Sequence, residues 1–340
     1  MTHDRTHPDH SDPARRSPTR RVRLTGPADL VQAVPYLLGF TGLHDDLVLV
    51  ATREHRVVLT IRTALAALDT DVLWTHTSTP LANADATDVH LIAYPTGPVT
   101  DLTLRDLHTR LHTTCSRRPE RFALAGTVTV ADGRWWNHDL TGTPPTGPGH
   151  LIPESPAVTL GLAVATGVPA GNRDQALAVL RPHPEPVLAD VRSTIARLAA
   201  RTQTQRLAVM HVSLDSRQHR PRAWTVTEAA DVLDALADLL VRDTALLQAA
   251  ADHASWTWST LLPYAPQRWI PAVATLVAVT AHQGGDGVLA RAALDAALAA
   301  DPGYSLAHLF AQVLALGLTP DTVRRNLLEP AAEEIARRGC

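Results

Sequence analysis

The sequence predicts an α+β protein, an N-terminal α/β sandwich built on a mixed sheet and followed by an all-α helical C-terminal lobe. Three observations carry that prediction. β-Branched runs alternate with helical spacing before Thr141, a Pro- and Gly-rich stretch occupies Thr141 to Pro156, and beyond it Ala/Leu patterns of helical period take over. At 340 residues and 45% hydrophobic, the chain is long enough for two cores. The expected organisation is a disordered tail over 1–21, an α/β domain over 22–150 and a helical domain over 151–340.

The tail is polar, interrupted by proline and without large hydrophobes, so burial cannot offset its ordering entropy. Order begins with a short strand at Val22. A helix follows, with Pro27 early in it and Leu30, Val31, Val34, Leu37 and Leu38 at helical spacing; Pro35 is expected to kink or end it. Leu47 to Ala51 and Val57 to Ile61 read as a hairpin around Thr-Arg-Glu-His-Arg, and Val89 to Tyr94 as a buried strand. Leu102, Leu104, Leu107 and Leu111 define a helix over Asp101 to Thr114, after which FALAGTVTVADGRWW returns to strand through a turn at Asp132-Gly133. A helix between the first hairpin and Val89 completes the sandwich. The later helices are predicted over Ala157 to Thr166, Glu185 to about Leu214, Thr227 to Arg242, Pro271 to His282, Gly287 to Ala300, Ser305 to Leu316 and Asp321 to Arg338.

All 31 basic residues are arginine. A phosphate loop ending in Gly-Lys-Ser/Thr, a Schiff-base lysine and a kinase-type lysine are therefore excluded. A net charge of -3 does not favour nucleic acid or an anionic membrane as the main partner, although Arg15, Arg16, Arg20, Arg21 and Arg23 could touch a phosphate backbone. Cys115 and Cys340 are too few for a disulfide framework or a cysteine-based zinc site, which suits a reducing compartment, so a cytoplasmic location is expected. Met1 to Arg21 lacks the apolar core of a signal peptide, and the longest helix-like apolar run, Pro271 to Ala281, is about half of the ~20 residues that span a bilayer. No cofactor and no metal is predicted.

Five features offer chemistry, and each has a plainer explanation. His108 and His112 lie four apart on a helix with Cys115 nearby, but they lack a third ligand and a zinc-protease glutamate and are expected to face solvent. Arg242 and Asp243, close to Trp256 and Trp258, could fork and stack a planar anion; equally, they could serve helix ends. Gly284-Gly285-Asp286-Gly287 exposes amides at a helix start, where the Asp286 carboxylate would compete with a phosphate. Tyr36, Gly39 and Phe40, with Trp135 and Trp136, could line a pocket or plug the core, and Asp45 and Asp46 could act as an acid/base pair or, as adjacent loop acids, simply face water.

VPYLLGF followed by DLVLV, then VADGRWW, VRD and GDGVLARAALDAALAADPGYSLAHLFAQVLALGLTP, resembles an actinobacterial family known as domain of unknown function 4192. That resemblance implies no activity. Within the last block Ala278, Ala290, Ala297 and Pro302 fall where a tetratricopeptide-type hairpin places its small residues and terminal proline. Two functions are expected: an intracellular interaction or regulatory protein without catalytic activity, offering a groove to a protein partner, or a binder or enzyme for an anionic or nucleotide-like ligand at the junction of the halves, using Arg242, Asp243, Trp256 and Tyr36; Gly285, Asp286 and Gly287 are further ligand-binding candidates.

Overall fold

The computed structural model describes residue 24 and residues 26–338, apart from 71, 154, 167–168, 170, 219–221 and 253–254. The predicted tail and most of the strand at Val22 lie outside the described residues, and Leu24 is not in a strand.

Six strands form one mixed sheet: β1 (Asp46–Arg53), β2 (Arg56–Ala64), β3 (Asp88–Tyr94), β4 (Ala123–Ala131), β5 (Arg134–Asn137) and β6 (His150–Leu151), in the order β2-β1-β3-β4-β5-β6. The front helices are α1 (Pro27–Leu38), α2 (Val72–Asn83) and α3 (Asp101–Ser116). The β1–β2 turn places Glu54 and His55 at φ 50° and 60°, the paired left-handed geometry whose twist suits a two-residue hairpin. β3 and β4 pair in parallel and are joined through a helix, α3, as a parallel crossover requires. Thr100 and Thr103 form a reciprocal capping box at the start of α3.

Alternation along the strands produces two cores. Val48, Val50, Ile92, Val128 and Val130 face α1 through Leu30, Val31, Val34 and Leu38. Leu47, Leu49, Leu91 and Phe122 face α2 and α3 through Leu73, Trp74, Leu81, Leu107 and Leu111. Pro35 does not end α1. The helix runs on to Leu38 because its apolar face is buried on both sides of the proline, and it stops at Gly39, whose φ of 80° breaks the helical path.

The Pro- and Gly-rich stretch contributes β6 to the sheet, where Gly149 lies flat against the buried Trp136 ring. A Cβ at Gly149 would sit 2.5 Å from that ring, and the residue has φ 67°. Gly149→Ala is therefore expected to lower stability by about 1–2 kcal/mol, read as a shift in the urea midpoint. A midpoint equal to that of the parent would show that β6 is not held in this position.

The remaining helices are α4 (Pro156–Thr166), α5 (Arg173–Ala176), α6 (Glu185–Arg197), α7 (Gln203–Gln218), α8 (Val226–Ala235), α9 (Leu239–Asp252), α10 (Ser255–Leu261), α11 (Ile270–Gln283), α12 (Gly287–Ala300), α13 (Ser305–Ala315), α14 (Pro320–Val323) and α15 (Glu329–Arg338). Two predicted helices divide. Glu185 to Leu214 breaks between α6 and α7, and Thr227 to Arg242 breaks at Leu236 to Asp238, where Asp238 accepts the N–H groups of Leu240 and Val241 and starts a new helix. Asp321 to Arg338 likewise contains a π-type turn over Arg324–Leu328.

α4 packs on the front half, with the Gln32 side-chain amide donating to Thr159 Oγ1 at 2.7 Å, and Ile152, Ala176 and Val288 also pack against the α1 core. The core of the back half centres on α11, buried on every side from Val273 to Gln283. α11 and α12 form an antiparallel hairpin. Ala278, Ala290, Ala293 and Ala297 are all buried, and their small side chains let the two backbones approach. No described helix is long and apolar enough to cross a membrane.

Candidate functional site

A cleft of about 600 Å³ opens where β2 and α2 face the α11–α12 turn and the α13–α14 connection. Its walls are mainly apolar, with Leu38, Leu59, Ile61, Val288, Leu314 and Leu318 prominent. Its ionisable lining residues are Arg62, Arg173, Arg291, His76 and His282, and among the described residues no Asp or Glu lines it.

The Arg62 guanidinium lies 2.7 Å from the buried Asp46 carboxylate and 5.9 Å from the centre of the Phe40 ring. Asp46 also accepts the His44 N–H, so this carboxylate is a fixed counter-charge rather than a loop acid facing water, whereas its neighbour Asp45 is exposed. Arg291 pairs with Asp295 one turn along α12 at 3.0 Å, an exposed contact of small energetic weight. Arg173 is exposed at the start of α5 and has no ion pair among the described residues.

The floor of the cleft is the α13–α14 connection, which is fastened to both halves. Asn83 of α2 donates to the Leu316 carbonyl at 2.6 Å, and His282 of α11 lies 2.9 Å from the Leu318 carbonyl through Nε2. A carbonyl can only accept, so Nε2 carries the proton and Nδ1 is left to accept from the Gln283 amide at 3.4 Å. Burial lowers the His282 pKa despite that carbonyl contact, which favours a neutral ring here. Gly317, at φ 60°, rests against Pro80; a Cβ there would lie 2.5 Å from the proline Cβ and 2.6 Å from its Cα.

Of the residues singled out from sequence, Gly285 and Gly287 line this cleft. Gly285 makes the turn at φ 82°, and Asp286 caps α12 by accepting the Leu289 N–H at 2.9 Å, so its carboxylate occupies the helix end a phosphate would need. Tyr36 is half-buried on α1 and is not a lining residue, although Leu37 and Leu38 are. Arg242 and Asp243 do not end a helix; they lie in the first turns of α9, because the helix predicted up to Arg242 has already broken at Asp238. Arg242 is engaged there by Asp243 at 2.7 Å and by the Tyr304 hydroxyl at 3.3 Å, away from the cleft. Trp256 falls in α10, and its side chain lies outside the described residues, while Trp258 is buried.

A second polar cluster lies beneath the sheet. His108, on α3, is buried rather than solvent-facing and stacks on buried His138 with 5.7 Å between ring centres. His138 Nε2 lies 2.7 Å from Thr129 Oγ1, and the Nδ1 atoms of both rings have no hydrogen-bond partner. Burial and the adjacent His108 push His138 down to about 4. His112 is exposed, and burial raises the Cys115 thiol to about 11, so that thiol is neither a ready nucleophile nor a ready ligand. Among the described residues no three His, Cys, Asp or Glu side chains group to hold a metal.

The family sequence model described as "Domain of unknown function (DUF4192)" matches residues 27–321. No curated protein and no solved structure matches the chain.

Proposed function

The chain belongs to the DUF4192 family, and on that premise we propose that it is a cytoplasmic binding protein whose cleft between the sheet edge and the helical half takes an anionic ligand with an apolar body. One observation carries the reading: a cleft of about 600 Å³ lined, among the described residues, by three arginines, two histidines and no carboxylate residue. Its size is that of ordinary ligand sites, and such sites favour the seam between packed units. Arg62 is committed to the buried Asp46, whereas Arg291 makes only a solvent-screened contact to the exposed Asp295 and Arg173 has no ion pair among the described residues, so these two rim guanidinium groups are the ones open to an incoming anion. The α11–α12 hairpin, which has the small residues of a tetratricopeptide-type unit, serves as the wall opposite β2. The cysteine content supports the cytoplasmic assignment.

The reading is tested with the double variant Arg173→Glu/Arg291→Glu in a thermal-shift and calorimetric screen of carboxylates, phosphates and nucleotides. Because both side chains are at the surface, the variant should keep the parent Tm. Any anion that binds the parent should bind the variant at least ~10-fold more weakly, the cost of losing a charge-assisted contact. An anion held equally by both proteins would place its site elsewhere.

A further inference from the structure

We infer that the occupant of this cleft is an extended acidic peptide that pairs with the free edge of β2 as a seventh strand. The inference rests on the anion-binding reading above and specifies its ligand.

β2 is the terminal strand of the sheet, paired with β1 on one side only. Every residue from Val57 to Thr63 lines the cleft, including side chains from both faces of the strand: Leu59 and Ile61 belong to the α2 side, and Arg62 reaches Phe40 and Asp46 on the α1 side. A cavity that touches both faces of a strand wraps its edge. That is the space an added strand would fill.

Leu65 donates its N–H to the Asp45 carbonyl at 2.7 Å, just beyond the start of the β1–β2 ladder. In an antiparallel pair, residues whose main chain faces the partner alternate with residues whose main chain faces away. Ile61 and Thr63 therefore face β1, and Thr60 and Arg62 turn their N–H and C=O groups toward the cleft. Among the described residues neither main chain has a hydrogen-bond partner on that side. Edges of this kind are commonly blunted by charge, proline or a bulge; β2 has Arg56 and Arg62 and a register shift opposite Ala51 and Thr52 near its turn, but the stretch Val57, Val58, Leu59, Thr60 and Ile61 between the two arginines carries no charge and no proline. The seven lining residues span about 23 Å at ~3.3 Å each, enough for a peptide of six to seven residues.

Charge selects the peptide. The two exposed guanidinium groups, Arg173 and Arg291, and His76 stand at the rim; among the described residues no Asp or Glu lines the cleft, and the Asp295 partner of Arg291 is exposed and outside it. Acidic side chains alternating with β-branched ones would meet the rim and the apolar walls in turn. The chain's own N-terminal segment is a poor candidate, since Met1 to Arg21 has five arginines against three aspartates.

The test selects a display library of random octapeptides on the full-length protein and measures the enriched peptides by fluorescence anisotropy. Enriched sequences should be rich in Asp and Glu. N-methylating the alternate amides that face β2 should weaken binding at least tenfold, while N-methylating the other set should leave it unchanged. Thr60→Pro removes an outward N–H without touching the β1 ladder and should cause a comparable loss in a protein of parental circular dichroism. Equal binding by both N-methylated series would overturn strand pairing while leaving the anion site intact. Enrichment of basic or neutral peptides, or of none, would also overturn the inference, and the anion reading would then stand or fall on whether small anions still bind in an Arg173- and Arg291-dependent way.

Discussion

Gly317→Ala is expected to destabilise the protein by about 2–5 kcal/mol. About 1–2 kcal/mol comes from forcing a side chain into left-handed backbone, and ~1–3 kcal/mol from overpacking. The new Cβ would meet Pro80 at 2.5 Å, and part of that contact is the proline backbone of α2, which cannot swing aside as a side chain could. Lifting the α13–α14 connection away would also break the Asn83 and His282 contacts to the carbonyls of Leu316 and Leu318. Urea unfolding gives the magnitude. Leu316→Ala is a suitable control, because Leu316 is substantially exposed and its carbonyl would be retained. A Gly317→Ala protein with the parental midpoint would show that this connection does not need to touch Pro80.

The second large effect is acid sensitivity. His138 titrates at about 4 in the folded protein against 6.5 in an unfolded chain. Above pH 6.5 the imidazole is neutral in both states and contributes nothing. As pH falls below 6.5 the unfolded chain takes up the proton first, so stability declines until about pH 4, where the folded ring also protonates. The gap corresponds to a loss of roughly 3 kcal/mol. His108, lowered by burial and by His112 against the opposing pull of Asp139, and His282, lowered by burial, act in the same direction. His138→Gln keeps a partner for Thr129 without a titrating group, so its urea midpoints at pH 7.5 and pH 4.5 should lie closer together than those of the parent. An undiminished difference would remove His138 as the source.

The strands and helices of the front half were legible because alternation at Leu47 to Ala51 and 3.6-residue spacing at Leu104, Leu107 and Leu111 are local signals. The hairpin at Gly285 was legible for the same reason, since the alanines that let α11 and α12 approach are spaced along each helix. The breaks in the back half were not, because Asp238 looks like one more polar residue on a helix face until its carboxylate accepts two amides. The site was the least legible. Arg62, Arg173, His282 and Gly317 are scattered over the whole chain and carry no motif; they converge only because the β2 edge and the α13–α14 connection meet. Arg242 and Asp243 stood out by adjacency, and adjacency is what lets them neutralise each other. His138 gave no signal, because nothing local to Trp135-Trp136-Asn137-His138 indicates a partner on α3.

The placement of α4, Ala176 and Val288 on the α1 side of the sheet means that the covalent boundary and the packing boundary do not coincide. The polypeptide leaves the sheet at β6, yet it goes on upholstering that sheet well into the helical half. Severing the chain in the proline-rich stretch would thus strip the front half of part of its own coat, so the two halves are better regarded as interleaved pieces of a single garment than as beads on a string.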